Sequence, residues 1–141
     1  MTHVLVVDDN RMVSEVLQLL YSSHPTVRSV SGAGTYDEAL TVLRSCTVGI
    51  ASIDIDLGQS AHSGFDLCRT IHRTMGNVFI TICSADGSPD NKRTAALLGA
   101  HSFLQKPVTL TDIGRLMETY EKWQSNESST PGCDTYVVDP V

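Results

Sequence analysis

Val4-Leu5-Val6-Val7-Asp8-Asp9-Asn10 is an unbroken run of strand-forming apolar residues that stops on two acids. Continuous apolar runs of this kind are what strands need when helices cover both faces of a parallel sheet. The same pattern recurs at residues 48–56 (VGIASIDID), 77–86 (NVFITICSAD) and 101–107 (HSFLQKP). Together with a weaker segment after Pro25, these runs predict five strands over residues 3–7, 26–30, 48–53, 77–83 and 101–104.

Between the strands the period changes to that of a helix. Val13, Val16, Leu17 and Leu20 recur at i, i+3, i+4 and i+7, as do Tyr36, Ala39, Leu40 and Leu43. A third helix is expected over about 65–75, ending at Gly76, and a fourth over about 90–98 with Gly99 as its C-terminal cap. A fifth carries Ile113, Leu116, Met117 and Tyr120, and Thr35 and either Thr109 or Thr111 have the side chains for N-caps. Strand and helix alternating five times predict an α/β, three-layer fold around a parallel five-stranded sheet. The Gly32-Ala33-Gly34 segment lacks the third glycine of a dinucleotide fingerprint and follows the second strand, so it reads as a turn.

With 41% hydrophobic and 18% charged residues the chain has the composition of a globular protein. The net charge of -6, without any basic run, argues against direct binding to nucleic acid. No apolar stretch approaches the length of a membrane span and no basic leader precedes the first strand, so a cytoplasmic protein with no membrane association is expected. The four cysteines form no C-x-x-C pair; Cys46, Cys68 and Cys83 sit in apolar-periodic segments and read as small reduced core residues. From Ser125 the sequence SNESSTPGCD reads as a flexible tail or linker, and the closing TYVVDPV as a disordered terminus. The expected organisation is one domain over 1–124 and a tail over 125–141.

Ligands of parallel α/β sheets bind beyond the carboxyl ends of the strands. Here those ends carry Asp8-Asp9, Asp54-Ile55-Asp56, Ser84-Ala85-Asp86 and Lys106-Pro107. Carboxylates converging in one crevice repel unless a cation neutralises them, and hard oxygen donors favour Mg²⁺, or Mn²⁺. One or two carboxylates suffice to hold such an ion, leaving another free as a nucleophile toward phosphorus. A lysine and a hydroxyl at the same rim are the groups phosphoryl transfer needs against its developing charge.

VLVVDDN (4–10), SIDIDLG (52–58), ICSAD (82–86) and FLQKP (103–107) resemble the four signature segments of the response-regulator receiver family of two-component signalling. The resemblance covers about residues 4–123. It implies a flavodoxin-like strand order 2-1-3-4-5, with Asp54 as phosphoacceptor and Asp8 and Asp9 as metal-binding acids. It further implies the Asp56 backbone carbonyl as a metal ligand, Ser84 as switch hydroxyl, Lys106 as the phosphoryl-contacting ammonium and Phe103 as switch aromatic. The implied partners are a sensor histidine kinase or histidine-phosphotransfer protein as donor, and a downstream protein or effector domain. The face of helix four, strand five and helix five would change partners on phosphorylation or pair two copies as a homodimer. The chemistry expected is self-phosphorylation and autodephosphorylation rather than substrate turnover.

Gly58 stands where that family commonly has proline, the loop between Asp54 and Gly64 is lengthened, and Phe103 lacks the hydroxyl of the commoner tyrosine. None of the five histidines has ligand spacing; His62, in the lengthened loop, is the one placed to approach the phosphoryl site. Three other functions fit parts of the pattern. Asp54-Ile55-Asp56 resembles the D-x-D of haloacid-dehalogenase-type phosphohydrolases, but an acidic pair precedes it and only Asp112 follows Lys106 closely. A pseudo-receiver that merely binds partners would not need the intact acids and lysine. A flavin phosphate would need amides and hydroxyls where the first strand ends in acids.

Overall fold

The computed structural model describes residues 2–58 and 61–129. Five strands, β1 (Thr2–Val7), β2 (Val27–Ala33), β3 (Ile50–Asp54), β4 (Phe79–Ser84) and β5 (Ser102–Gln105), form one parallel sheet in the order β2-β1-β3-β4-β5. The helices are α1 (Arg11–Ser22), α2 (Tyr36–Ser45), α3 (Gly64–Thr74), α4 (Pro89–Leu97) and α5 (Leu110–Ser129). Successive strand residues point to opposite faces. Val4 and Val6 pack with Leu17 and Tyr21 of α1 and with Ile113, Leu116 and Met117 of α5. Leu5 and Val7 pack on the other side with Leu40 of α2, Leu67 and Ile71 of α3, and Ala95 of α4. This is the three-layer α/β fold with the expected strand order.

The chain leaves β1 toward β2 and leaves β3 toward β4, in opposite directions from the middle of the sheet. A crevice therefore opens between the carboxyl ends of β1 and β3. Register aligns the rim: Val7 pairs with Ile53, Asp54 with Cys83, and Ser84 with Gln105.

Several local expectations differ from the structure. β2 runs on through Ser31, Gly32 and Ala33, so the glycine segment is largely strand rather than turn. The reason lies in pairing: Gly32 and Ala33 stand opposite Val6 and Val7 in the parallel β1–β2 ladder. On α1 the buried face is Ser14, Leu17 and Tyr21, whereas Val16 is 51% exposed. Met12, Val16 and Leu19 form a second, outward stripe at i, i+4 and i+7. Cys68 and Cys83 are buried free thiols, but Cys46 is exposed as the C-cap of α2; Cys133 lies outside the described residues. α5 continues to Ser129, past the Ser125 at which a flexible tail was expected to begin. Ser125 bonds back through its hydroxyl to the Glu121 carbonyl, and neither proline nor glycine occurs between residues 125 and 129. Residues 130–141 lie outside the described residues.

Caps follow the sequence more closely. Thr35 accepts from the Glu38 amide, and Thr109, not Thr111, exchanges hydrogen bonds with Asp112 at the start of α5. Gly99 has φ +105 just after α4, the left-handed conformation that ends a helix on glycine.

Candidate functional site

Asp8 follows β1 directly, its amide donating to the Ala33 carbonyl at 3.0 Å, which carries the strand pairing one residue beyond Val7. That places its carboxylate under the rim, where the residue is 2% exposed. A buried charge needs partners, and both oxygens have one. Oδ1 accepts from the Asn10 amide at 2.9 Å, and Oδ2 accepts from Nζ of Lys106 at 2.7 Å. Asn10 in turn caps α1, its Oδ1 accepting from the Val13 amide. One residue thus fixes both the helix start and the buried acid. Asn10 had no assigned role from sequence, although an Asn before the first apolar helical residue is a capping signal.

Asp54, the last residue of β3, is half-buried and has Oδ2 3.4 Å from Nζ of Lys106. Burial pushes its pKa up to about 6; the Lys106 charge opposes this, Asp8 adds to it, and the Asp56 amide also favours the charged form. Burial works to lower the Lys106 ammonium, but its hydrogen bond to Asp8 and the charges of Asp54 and Asp8 outweigh that, and its pKa is raised. The lysine is therefore charged across the physiological range and spans the two acids.

Asp8, Asp9 and Asp54 each offer an oxygen, and these atoms lie within 4.8 Å of one another. Asp8 is buried, Asp54 intermediate and Asp9 exposed. Three carboxylates against one ammonium leave a local charge that a divalent cation balances. The all-oxygen donor set suits a hard ion such as Mg²⁺, which needs only one or two protein carboxylates. The residues present fit that group. Asp56 is beside the site through its backbone, while its carboxylate closes a turn by accepting from the Gly58 amide at 2.9 Å. A carboxylate so engaged is not positioned as the second acid of a D-x-D hydrolase.

Two glycines flanking the loop after β3 lie against the acids, and sequence reasoning saw one only as a substitution and the other only as the end of that loop. Gly64 begins α3, donates its amide to the Ile55 carbonyl at 2.8 Å, and would put a Cβ 1.9 Å from the Asp54 carbonyl oxygen. Its signal was the Ser63-Gly64-Phe65-Asp66 capping box, which the structure forms in full. Gly58 has φ +59 and would put a Cβ 2.3 Å from Asp9 Oδ2. His62 stands against the Tyr36 ring, with centroids 4.4 Å apart, and 3.8 Å from Asp66.

The hydroxyl of Ser84 accepts from the Asp86 amide at 3.1 Å. The loop continues as a chain of bonds: Asp86 accepts from Ser88 and Asn91, and Ser88 caps α4. Phe103 is 0% exposed, with the Lys92 ammonium 5.9 Å from its ring centroid.

Comparison with known proteins gives a consistent picture. The profile described as "Response regulator receiver domain" matches residues 4–118. Two-component response regulator ORR3 of Oryza sativa subsp. indica is 31% identical over 117 residues, covering 81% of this chain and 86% of that protein. Transcriptional regulatory protein YvrH of Bacillus subtilis is 24% identical over 135 residues, covering 94% of this chain and 55% of that protein. Some curated relatives are longer still, and the chain spans 22% and 48% of two others. The receiver domain of NtrX from Brucella abortus superimposes with a TM-score of 0.77 at 22% identity, over 84% of this chain and 98% of that one, a likeness of fold.

Proposed function

Since the chain belongs to the response regulator receiver domain family, we propose that it accepts a phosphoryl group on Asp54 from a histidine kinase or histidine-phosphotransfer protein. One observation carries the reading: a half-buried carboxylate at a strand end shares Lys106 with Asp8, inside a trio of carboxylates within 4.8 Å. In the step, an Asp54 oxygen attacks phosphorus, the new O–P bond forms and the donor's N–P bond breaks. Lys106 moves little to meet the phosphoryl oxygens, because its ammonium already faces Asp54. Asp8 and Asp9, with the Asp56 carbonyl, would hold Mg²⁺ or Mn²⁺. When bound, such an ion supplies positive charge to the transferring group.

Output follows from what Ser84 gives up. If its hydroxyl turns to a phosphoryl oxygen, the Asp86 amide loses its acceptor, and Asp86 is tied through Ser88 and Asn91 to the start of α4. Phe103 then acts as a fixed floor rather than a moving part. The α4–β5–α5 face is the surface on which a downstream protein, an effector domain or a second copy would sense the change. The donor has a natural landing place on the exposed apolar stripe of α1, which starts two residues after Asn10. This is a signalling domain that works in the cytoplasm and does not turn over substrate. Incubation with Mg²⁺ and acetyl phosphate, followed by intact mass, should add one phosphoryl group to the wild type and none to Asp54→Ala. Equal labelling of both would sink the assignment.

A further inference from the structure

We infer that Gly58 is the positioning residue for Asp9, and that its bare Cα sets how tightly the chain holds a divalent cation. The inference rests on Asp9 being a metal ligand. Gly58 lies in the left-handed region at φ +59, which residues with a Cβ adopt only with strain. A Cβ there would stand 2.3 Å from Asp9 Oδ2, 3.3 Å from Cγ and 3.7 Å from Cβ, so it would meet the carboxylate from its Oδ2 side.

One of the two sides must yield, and the structure says which. The segment before Gly58 is anchored by Leu57, which is 3% exposed in the core among the helices of the α2–α4 face. Its turn is closed by the Gly58 amide on the Asp56 carboxylate. Asp9, by contrast, is the exposed member of the acidic trio. A side chain at residue 58 would therefore displace the Asp9 carboxylate, one oxygen of which belongs to the 4.8 Å cluster, while leaving the fold and the Asp8–Lys106–Asp54 arrangement in place. Glycine at this position lets the loop lie against Asp9 without moving its carboxylate from the acidic trio. Positioning groups one step removed from a metal commonly change affinity by about tenfold or more.

The test is Mg²⁺ affinity measured by calorimetry on the purified full chain, without phosphodonor, for wild type, Gly58→Asn, Asp9→Ala and the double variant. Asn is chosen because it tolerates the left-handed conformation while still carrying a Cβ; Gly58→Ala serves as a second variant. Gly58→Asn should bind Mg²⁺ about tenfold more weakly than wild type. In the Asp9→Ala background the same change should cost less than about twofold, because the group it displaces is gone. Gly58→Asn and Gly58→Ala binding as tightly as wild type would overturn the inference. So would an undiminished tenfold loss without Asp9, which would mean a general disturbance of the loop. A wild type that binds no Mg²⁺ would instead overturn the reading of the acidic trio itself.

Discussion

His101 stands just before β5 with its ring against Phe79, centroids 5.1 Å apart, and Trp123 of α5, 4.9 Å apart. Its Nδ1 accepts from the Ile80 amide at 2.9 Å, so the neutral ring carries its proton on Nε2. Protonation would put a second N–H on the nitrogen that faces a donor, inside an aromatic cluster. Burial first, and then the neighbouring His72, push its pKa down to about 4. An unfolded chain titrates its histidines near 6.5. Between those values the unfolded state binds a proton that the folded state refuses. Stability from this group is thus complete above about pH 6.5 and is lost as pH falls toward 4. At about pH 5 the loss is about 2 kcal/mol, and at about pH 7.5 almost nothing. Asp54 works in the opposite sense, since its raised pKa costs stability at neutral pH and relieves that cost on acidification. The two must be separated by difference. Urea unfolding of wild type and His101→Asn, followed by fluorescence of the single tryptophan, isolates the term, because Asn Oδ1 can take the Ile80 hydrogen bond without titrating. Wild type should lose about 2 kcal/mol more than His101→Asn between about pH 7.5 and about pH 5. Equal losses in the two proteins would refute the reasoning.

Lys106→Met leaves Asp8, 1% exposed at its side chain, without its ammonium, and should cost about 3–5 kcal/mol in metal-free buffer. Added Mg²⁺ should restore part of that in thermal unfolding, since an ion that binds only the folded trio stabilises it by mass action. Phe103→Ala should cost about 3–5 kcal/mol by emptying a fully buried site, yet still be labelled on Asp54 by acetyl phosphate; loss of labelling in a folded variant would contradict its place as floor. Val16→Glu with Leu19→Glu, both on the exposed stripe of α1, should leave stability and acetyl phosphate labelling within error. The same pair should slow transfer from a protein donor about tenfold or more, and unchanged transfer would remove α1 from the docking surface.

Much of this molecule is legible along the chain. A parallel sheet buried on both faces demands continuous apolar runs, and an acid that ends such a run must emerge at the carboxyl rim. Asp8, Asp9, Asp54, Ser84 and Lys106 could be placed on one edge from that rule alone, and helix periods supplied the layers. Local signals also located Thr35, Thr109 and Gly99, because a cap is decided within four residues. Tertiary structure decided everything that depends on two distant segments meeting. It chose Asp8 as the tighter partner of Lys106, at 2.7 Å against 3.4 Å for Asp54. It buried Phe103 completely, turned Val16 out and Tyr21 in, and drew β2 on through a glycine that looked like a turn. It also gave Gly58 and Gly64 their roles, since the space a missing Cβ leaves acquires a meaning only when Asp9 or the Asp54 carbonyl comes to fill it. Periodicity records which face of an element is buried; it carries no record of which atom on another element lies within three ångströms.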